Sequence, residues 1–166
     1  MRAETELEQY TSGGLDAVMR EILFRAKELK KPNIRQFGRW KEGYYMAYGR
    51  EDGETEHVIL WPFHGVSGLV IRRAWVDPET VSQFTGFYDK NKNKIFEGDI
   101  LKSTYPDEPH EPVVVYEEVF WNNGWYQADF GDRDRADDMM QNFLSEYSEV
   151  VGNIWDDSRL LLKEER

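Results

Sequence analysis

Thr80 to Lys102 reads TVSQFTGFYDKNKNKIFEGDILK, and this stretch decides the fold. A β-prone run from Val81 to Tyr88 is followed by the polar segment Asp89-Lys90-Asn91-Lys92-Asn93. A second short apolar run, Ile95-Phe96, comes next, and Glu97-Gly98-Asp99 then feeds Ile100-Leu101. Two β-prone runs joined by a polar turn predict an antiparallel hairpin. The Glu-Gly-Asp bend delivers the chain from it into a barrel-type strand.

Upstream, Arg20 to Ala26 alternates charged and apolar residues and predicts a first strand. Lys30-Lys31-Pro32-Asn33 breaks the chain. The aromatic runs around Phe37 to Trp40 and Tyr44 to Tyr48 flank Lys41-Glu42-Gly43, which reads as a hairpin turn. His57 to Phe63 is strand-like and is expected to stop at Pro62, while Leu69 to Trp75 leaves strand and helix open. Downstream, Tyr105 to Pro112 holds three prolines among acids and predicts a surface loop. Val113 to Trp121 is the strongest strand signal. Asn122-Asn123-Gly124 follows as a tight turn, and Trp125 to Phe130 returns as the partner strand. Met139 to Leu144 predicts a helical turn. Glu149 to Trp155 predicts a last strand, and Asp156-Asp157 a cap for a short helix over Ser158 to Glu164. Many short strands with closely spaced turn signals predict a mainly β (β-rich α+β) fold, a small antiparallel barrel with one or two short helices.

The chain has 166 residues, six Trp, nine Tyr, nine Phe and no cysteine. That length suits one domain with a real core, here 19–166, and the aromatics supply the buried area. Residues 1–18, polar and closing on Thr11-Ser12-Gly13-Gly14, read as a flexible N-terminal extension. Thiolate and disulfide chemistry are excluded. No apolar run reaches the length of a membrane span, and residues 1–14 hold no hydrophobic signal region, so the expected compartment is the cytoplasm. The net charge of −11 is unevenly spread: Met19 to Ser103 carries 15 Lys/Arg against 12 Asp/Glu, and Thr104 to Asp157 carries 2 against 14. The acidic half is either a solubilising surface or a face for a basic partner, including imitation of nucleic acid.

Three stretches resemble the YopX family, small proteins carried mainly by bacteriophages and prophages. They are Arg20 to Ala26; Thr80 to Phe87 with Asp89-Lys90-Asn91 and Ile95 to Ile100; and Glu149 to Trp155 followed by Leu160-Leu161. The signature positions are Gln83, Thr85, Gly86, Asp89, Asn91, Glu97, Gly98, Asp99, Gly152 and Asn153. The resemblance implies a β-rich fold, SH3-like in its second half. It also implies the cytoplasm of a bacterial host, and it supplies no catalytic residues. Lys92 stands where the family places glycine, so either Lys92 or Asn93 is expected in the left-handed region.

Residue chemistry favours structure over catalysis. Asp89, Asn91, Asn93 and Glu97 fall at calcium-loop spacings, but Lys94 and Ile100 occupy the positions that require Gly and Glu. Glu97 and Asp99 are the candidate carboxylate pair for acid–base or metal work. Against that stands a structural role: Gly98 bends the chain and Asp99 caps backbone N–H groups. His57 and His64 flank an apolar run and are expected to be structural, with His110 exposed; no metal spacing appears. Arg72-Arg73 beside Trp75, with Lys27, Lys30, Lys31 and Arg35 upstream, is a modest basic and aromatic set, but the chain as a whole is acidic, so nucleic acid is not the expected partner. Trp121 is expected in the core, with a protein-contact patch as the second reading.

With no complete catalytic constellation, the expectation is a non-enzymatic accessory protein. It has no cofactor and no metal, and it acts through another protein or through self-association. The competing class is a metal-dependent enzyme using Asp89, Glu97 or Asp99 with an acidic neighbour from the C-terminal half.

Overall fold

A computed structural model describes residues 21–29, 38–106, 109–122, 125–129, 137–138, 144 and 146–162. The readings on residues 1–18, on Lys30 to Asn33, on the Asn123-Gly124 turn tip and on Met139 to Phe143 lie outside the described residues.

The signature stretch forms three strands in sequence: β5 (Ser82–Tyr88), β6 (Lys94–Phe96) and β7 (Asp99–Tyr105). β5 and β6 pair antiparallel, with a register irregularity between Phe84 and Tyr88. Gly86, at φ +89°, lies within that irregularity, as expected of a bulge that needs a residue without a Cβ. Lys92 takes the left-handed turn position at φ +65°. Only Glu97-Gly98 separates β6 from β7, and across those two residues the chain leaves one sheet and enters another.

The first sheet adds β1 (Phe24–Lys27), β2 (Trp40–Gly49), β3 (Thr55–Gly65) and β4 (Gly68–Trp75), in the order β4-β3-β2-β1-β5-β6. The second adds β8 (Val113–Asn122), β9 (Trp125–Asp129), β10 (Asp137–Asp138) and β11 (Ser148–Asn153), in the order β10-β9-β8-β7-β11. Among the described residues every strand pair is antiparallel. Ala26, Ile59, Ala74 and Val76 pack beneath the first sheet. Ile95, Leu101, Val119, Tyr126, Ala128 and Leu144 form the core of the second. Leu23, Phe84 and Phe96 form a third cluster, with Tyr88 packed against it.

Several expectations are corrected. The mainly β class holds, but the architecture is two open sheets and not a closed barrel: among the described residues β4 and β6 end the first order and β10 and β11 the second. Lys41-Glu42-Gly43 is not a turn; β2 runs unbroken through it. Gly43 answers a close approach, since a Cβ there would lie 2.2 Å from the Leu60 carbonyl oxygen. β3 does not stop at Pro62. Its pairing with β2 ends at Leu60 while its pairing with β4 continues, so Pro62 sits where one edge needs no N–H. Leu69 to Trp75 is strand. Trp121 is 49% exposed, not core. The C-terminal helix shrinks to one 3-10 turn, Ser158–Leu160, without a side-chain cap from Asp157. His57 is satisfied, its Nδ1 lying 2.6 Å from the Tyr45 hydroxyl, whereas His64 and His110 are exposed. Among the described residues no helix is long and apolar enough to cross a membrane.

Candidate functional site

The corner between the sheets gathers most of the signature residues. Three backbone bonds fasten it: Glu97 N–H to the Gln83 carbonyl at 3.0 Å, Gly98 N–H to the Val119 carbonyl at 2.7 Å, and Ile154 N–H to the Gly98 carbonyl at 2.9 Å. β5, β8 and the segment after β11 therefore all grip two residues. Gly98 has φ +74°, and a Cβ on it would lie 2.4 Å from the Trp155 ring. The left-handed region disfavours any L side chain by about 1–2 kcal/mol, and overpacking adds roughly 1–3 kcal/mol. Gly98→Ala is expected to lower unfolding stability by roughly 2–4 kcal/mol in urea titration; an unchanged midpoint would show the Trp155 lid to be free to move.

Asp99, the first residue of β7, is fully buried. One carboxylate oxygen pairs with the Arg25 guanidinium from β1, and the other accepts the Phe96 N–H at 2.8 Å. The Arg25 guanidinium carbon lies 4.7 Å from the centre of the Trp40 ring and 4.7 Å from that of Phe96, in reach of cation–π attraction. The Arg25 Nε is buried without a hydrogen-bond partner. Burial pushes the Asp99 carboxyl up to about 6, against the opposing charge of Arg25 and the Phe96 N–H.

Asp89 caps the hairpin turn and is also fully buried. Its Oδ1 accepts the N–H groups of Asn91 and Asn93, both at 2.8 Å; its Oδ2 accepts the Asn93 side-chain amide and the Val150 N–H, both at 3.0 Å. Burial pushes its carboxyl up, but the Val150 N–H, the Asn93 amide and the turn N–H groups outweigh it and hold it below the usual carboxylate range. A carboxylate surrounded by four N–H donors is oriented away from cation coordination. Among the described residues no group of three His, Asp or Glu side chains is placed to hold a metal.

Gly152 and Asn153 shape the opposite wall. A Cβ on Gly152 would meet Asp157 Oδ2 at 2.6 Å. Asn153 Oδ1 accepts the N–H groups of Trp155 and Asp156, and its amide donates to Asp156. Asp156 pairs with Lys27 and accepts the Trp40 indole N–H at 3.0 Å. The Lys27 ammonium holds the Asp156 carboxyl below its ordinary range, against partial burial. Gln83 and Thr85 serve the hairpin: Gln83 offers its carbonyl to Glu97, and Thr85 Oγ1 donates to the Ile95 carbonyl at 2.8 Å.

Glu97 and Asp99 do not form a pair. Asp99 lines a cleft of about 310 Å³ with Arg25, Trp40, Lys41 and Asn153. Glu97 lines a different one, of about 320 Å³, with Glu118, Trp121, Ile154 and Trp155. Arg25, Lys27, Trp40, Trp155 and Asp156 went unidentified from sequence. Arg25 and Asp99 are 74 residues apart, and no local pattern joins them. A buried polar network of Glu117, Ser103, Ser148 and Tyr105 was missed likewise; Glu117 accepts from the Ser103 hydroxyl and, at 2.8 Å, from the Tyr105 hydroxyl.

These features define a two-sheet β protein whose signature builds the joint between its sheets. The profile of the YopX protein family matches residues 25–162, and the chain belongs to that family. Among solved structures, the crystal structure of protein EF1440 from Enterococcus faecalis is similar in fold at 20% identity and a TM-score of 0.54. The match covers 86% of this chain and 99% of that one. No curated protein matches the chain.

Proposed function

We propose that this chain is a non-enzymatic accessory protein of phage or prophage that works as a protein-interaction module, with the β3–β4 hairpin as its contact element. One observation carries the reading. Beyond the reach of β2, the hairpin exposes Phe63, Val66, Leu69, Val70 and Ile71. Successive residues of a strand point to opposite faces, so Leu69, Val70 and Ile71 make both faces of β4 apolar. β4 also ends its sheet, and an apolar edge strand left open is a pairing hazard that proteins normally cover.

The corner supports the same reading from the other side. Its two buried aspartates hold N–H donors and a guanidinium, which favours a joint over an acid–base pair. The family kinship supports the phage setting and the host cytoplasm. The strand order of the second sheet, a meander whose last strand returns beside its first, supports an SH3-like second half.

The test is affinity capture from bacterial lysate, read by mass spectrometry, with the wild type and with Leu69→Lys/Ile71→Lys. The variant is expected to lose about tenfold or more of the captured partner, since anchor residues near the centre of a contact dominate affinity, with its thermal midpoint unchanged. Equal capture by both would reject the hairpin as the contact element.

A further inference from the structure

We infer that the β3–β4 hairpin of one copy of this chain seats in the Glu97–Trp121–Trp155 cleft of a second copy, making the protein a closed homo-oligomer. The inference rests on the reading of the hairpin as a contact element and names its partner.

Shape comes first. A strand with two apolar faces is not covered by a flat surface; it needs a groove with walls. The cleft of about 320 Å³ has such walls in Val81, Ile154, Trp121 and Trp155, and Trp121 is the large exposed aromatic on its rim. Trp is favoured among residues that dominate contacts.

Charge agrees. The hairpin carries Arg72 and Arg73 and no carboxylate between His57 and Trp75. The Arg72 guanidinium lies 3.6 Å from the centre of the Phe63 ring, against the apolar surface that would dock, and that of Arg73 lies 4.7 Å from the centre of the Trp75 ring at the base of the hairpin. The cleft carries Glu97 and Glu118, and Thr104 to Asp157 holds 2 basic against 14 acidic residues. Opposite potentials steer encounter and fix register.

Topology makes the contact intermolecular. β4 ends the first sheet on one side, and β6, which runs into the cleft's corner, ends it on the other. Within one copy Phe63, Leu69, Val70 and Ile71 stay exposed and none of them lines the cleft, so the hairpin that fills it comes from a second chain. Two complementary surfaces on one body close either by reciprocal exchange about a two-fold axis or head to tail around a ring.

Light scattering on the full chain after size exclusion, at low and high ionic strength, tests the inference. The wild type is expected at a multiple of 19.7 kDa at low salt, with dissociation at least about tenfold stronger at high salt. Leu69→Lys/Ile71→Lys, Arg72→Glu/Arg73→Glu and Glu97→Lys/Glu118→Lys should each run as one chain, with wild-type circular dichroism and melting. Combining the two charge reversals in one chain should restore assembly. An oligomer that survives both the hairpin and the cleft variants overturns the inference. A one-chain wild-type mass with partner capture still lost in Leu69→Lys/Ile71→Lys overturns the second copy and leaves the hairpin reading standing. A one-chain mass with capture unaltered overturns both.

Discussion

Asp99→Ala should lower unfolding stability at pH 7 by about 3–5 kcal/mol, the range for removing one partner of a buried ion pair. The substitution strands the Arg25 guanidinium between Trp40 and Phe96 and takes the acceptor from the Phe96 N–H. Because Arg25 belongs to the first sheet and Asp99 to the second, the loss falls on the joint. Replacing both partners by apolar side chains, Arg25→Met/Asp99→Leu, should recover much of it, since an ion pair in a dry site gains little over well-packed apolar groups. The pH dependence has a definite sign. Burial raises the folded-state carboxyl to about 6, above its ordinary unfolded value, so between those two values the folded chain binds more protons than the unfolded one. The stability that Asp99 lends through its proton is therefore complete below the unfolded value and fades as pH rises through about 6. The gap between wild type and Asp99→Ala should narrow by roughly 1–2 kcal/mol from pH 5 to pH 7. Urea unfolding followed by tryptophan fluorescence at the two pH values measures it; a gap that widens with pH would mean that the Arg25 charge, not burial, governs the carboxyl.

The parts of this fold that were legible in sequence are those fixed by near neighbours. β5, the polar turn, β6 and β7 lie within one short stretch whose alternation and turn residues all point the same way. The same holds for β8 and β9. What failed depended on distant partners. Gly43 carries the sequence signs of a turn, and only the Leu60 carbonyl across the sheet explains it as a close approach. Pro62 is a strand breaker unless one knows that β2 ends its pairing opposite Leu60. Phe120 and Trp121 look equally apolar, yet alternation sends Phe120 inward and Trp121 out. The exposed hairpin was invisible for the same reason: Leu69 to Trp75 left strand and helix open, and nothing local says that no layer covers its apolar residues. The signature was found by its residues, while its purpose required Arg25, which no spacing links to Asp99. Two aspartates that looked alike on the page thus diverge by surroundings: one faces a guanidinium in a cleft, the other a ring of N–H groups.

That divergence yields the second large effect. Asp89→Ala should lower stability at pH 7 by about 3–5 kcal/mol, because four N–H donors lose a shared charged acceptor and each buried donor left unpaired costs roughly 1–3 kcal/mol; those of Asn91 and Asn93, at the exposed turn, can turn to water. The Val150 N–H cannot do so as readily, since it ties the hairpin turn to β11 across the second sheet. Asp89→Asn keeps one acceptor oxygen and should lose about half as much. Here the pH sign is reversed. The N–H groups hold the folded-state carboxyl below its ordinary value, so the unfolded chain binds more protons in acid. The contribution of Asp89 is whole above the unfolded value, about 3.9, and is lost as pH falls through the lower folded one. Measured against wild type, the Asp89→Asn deficit should therefore shrink toward strong acid, whereas the Asp99→Ala deficit shrinks toward neutrality. Parallel pH profiles for the two variants would contradict the division of labour at the corner, because a single shared role predicts one slope and two opposed environments predict two.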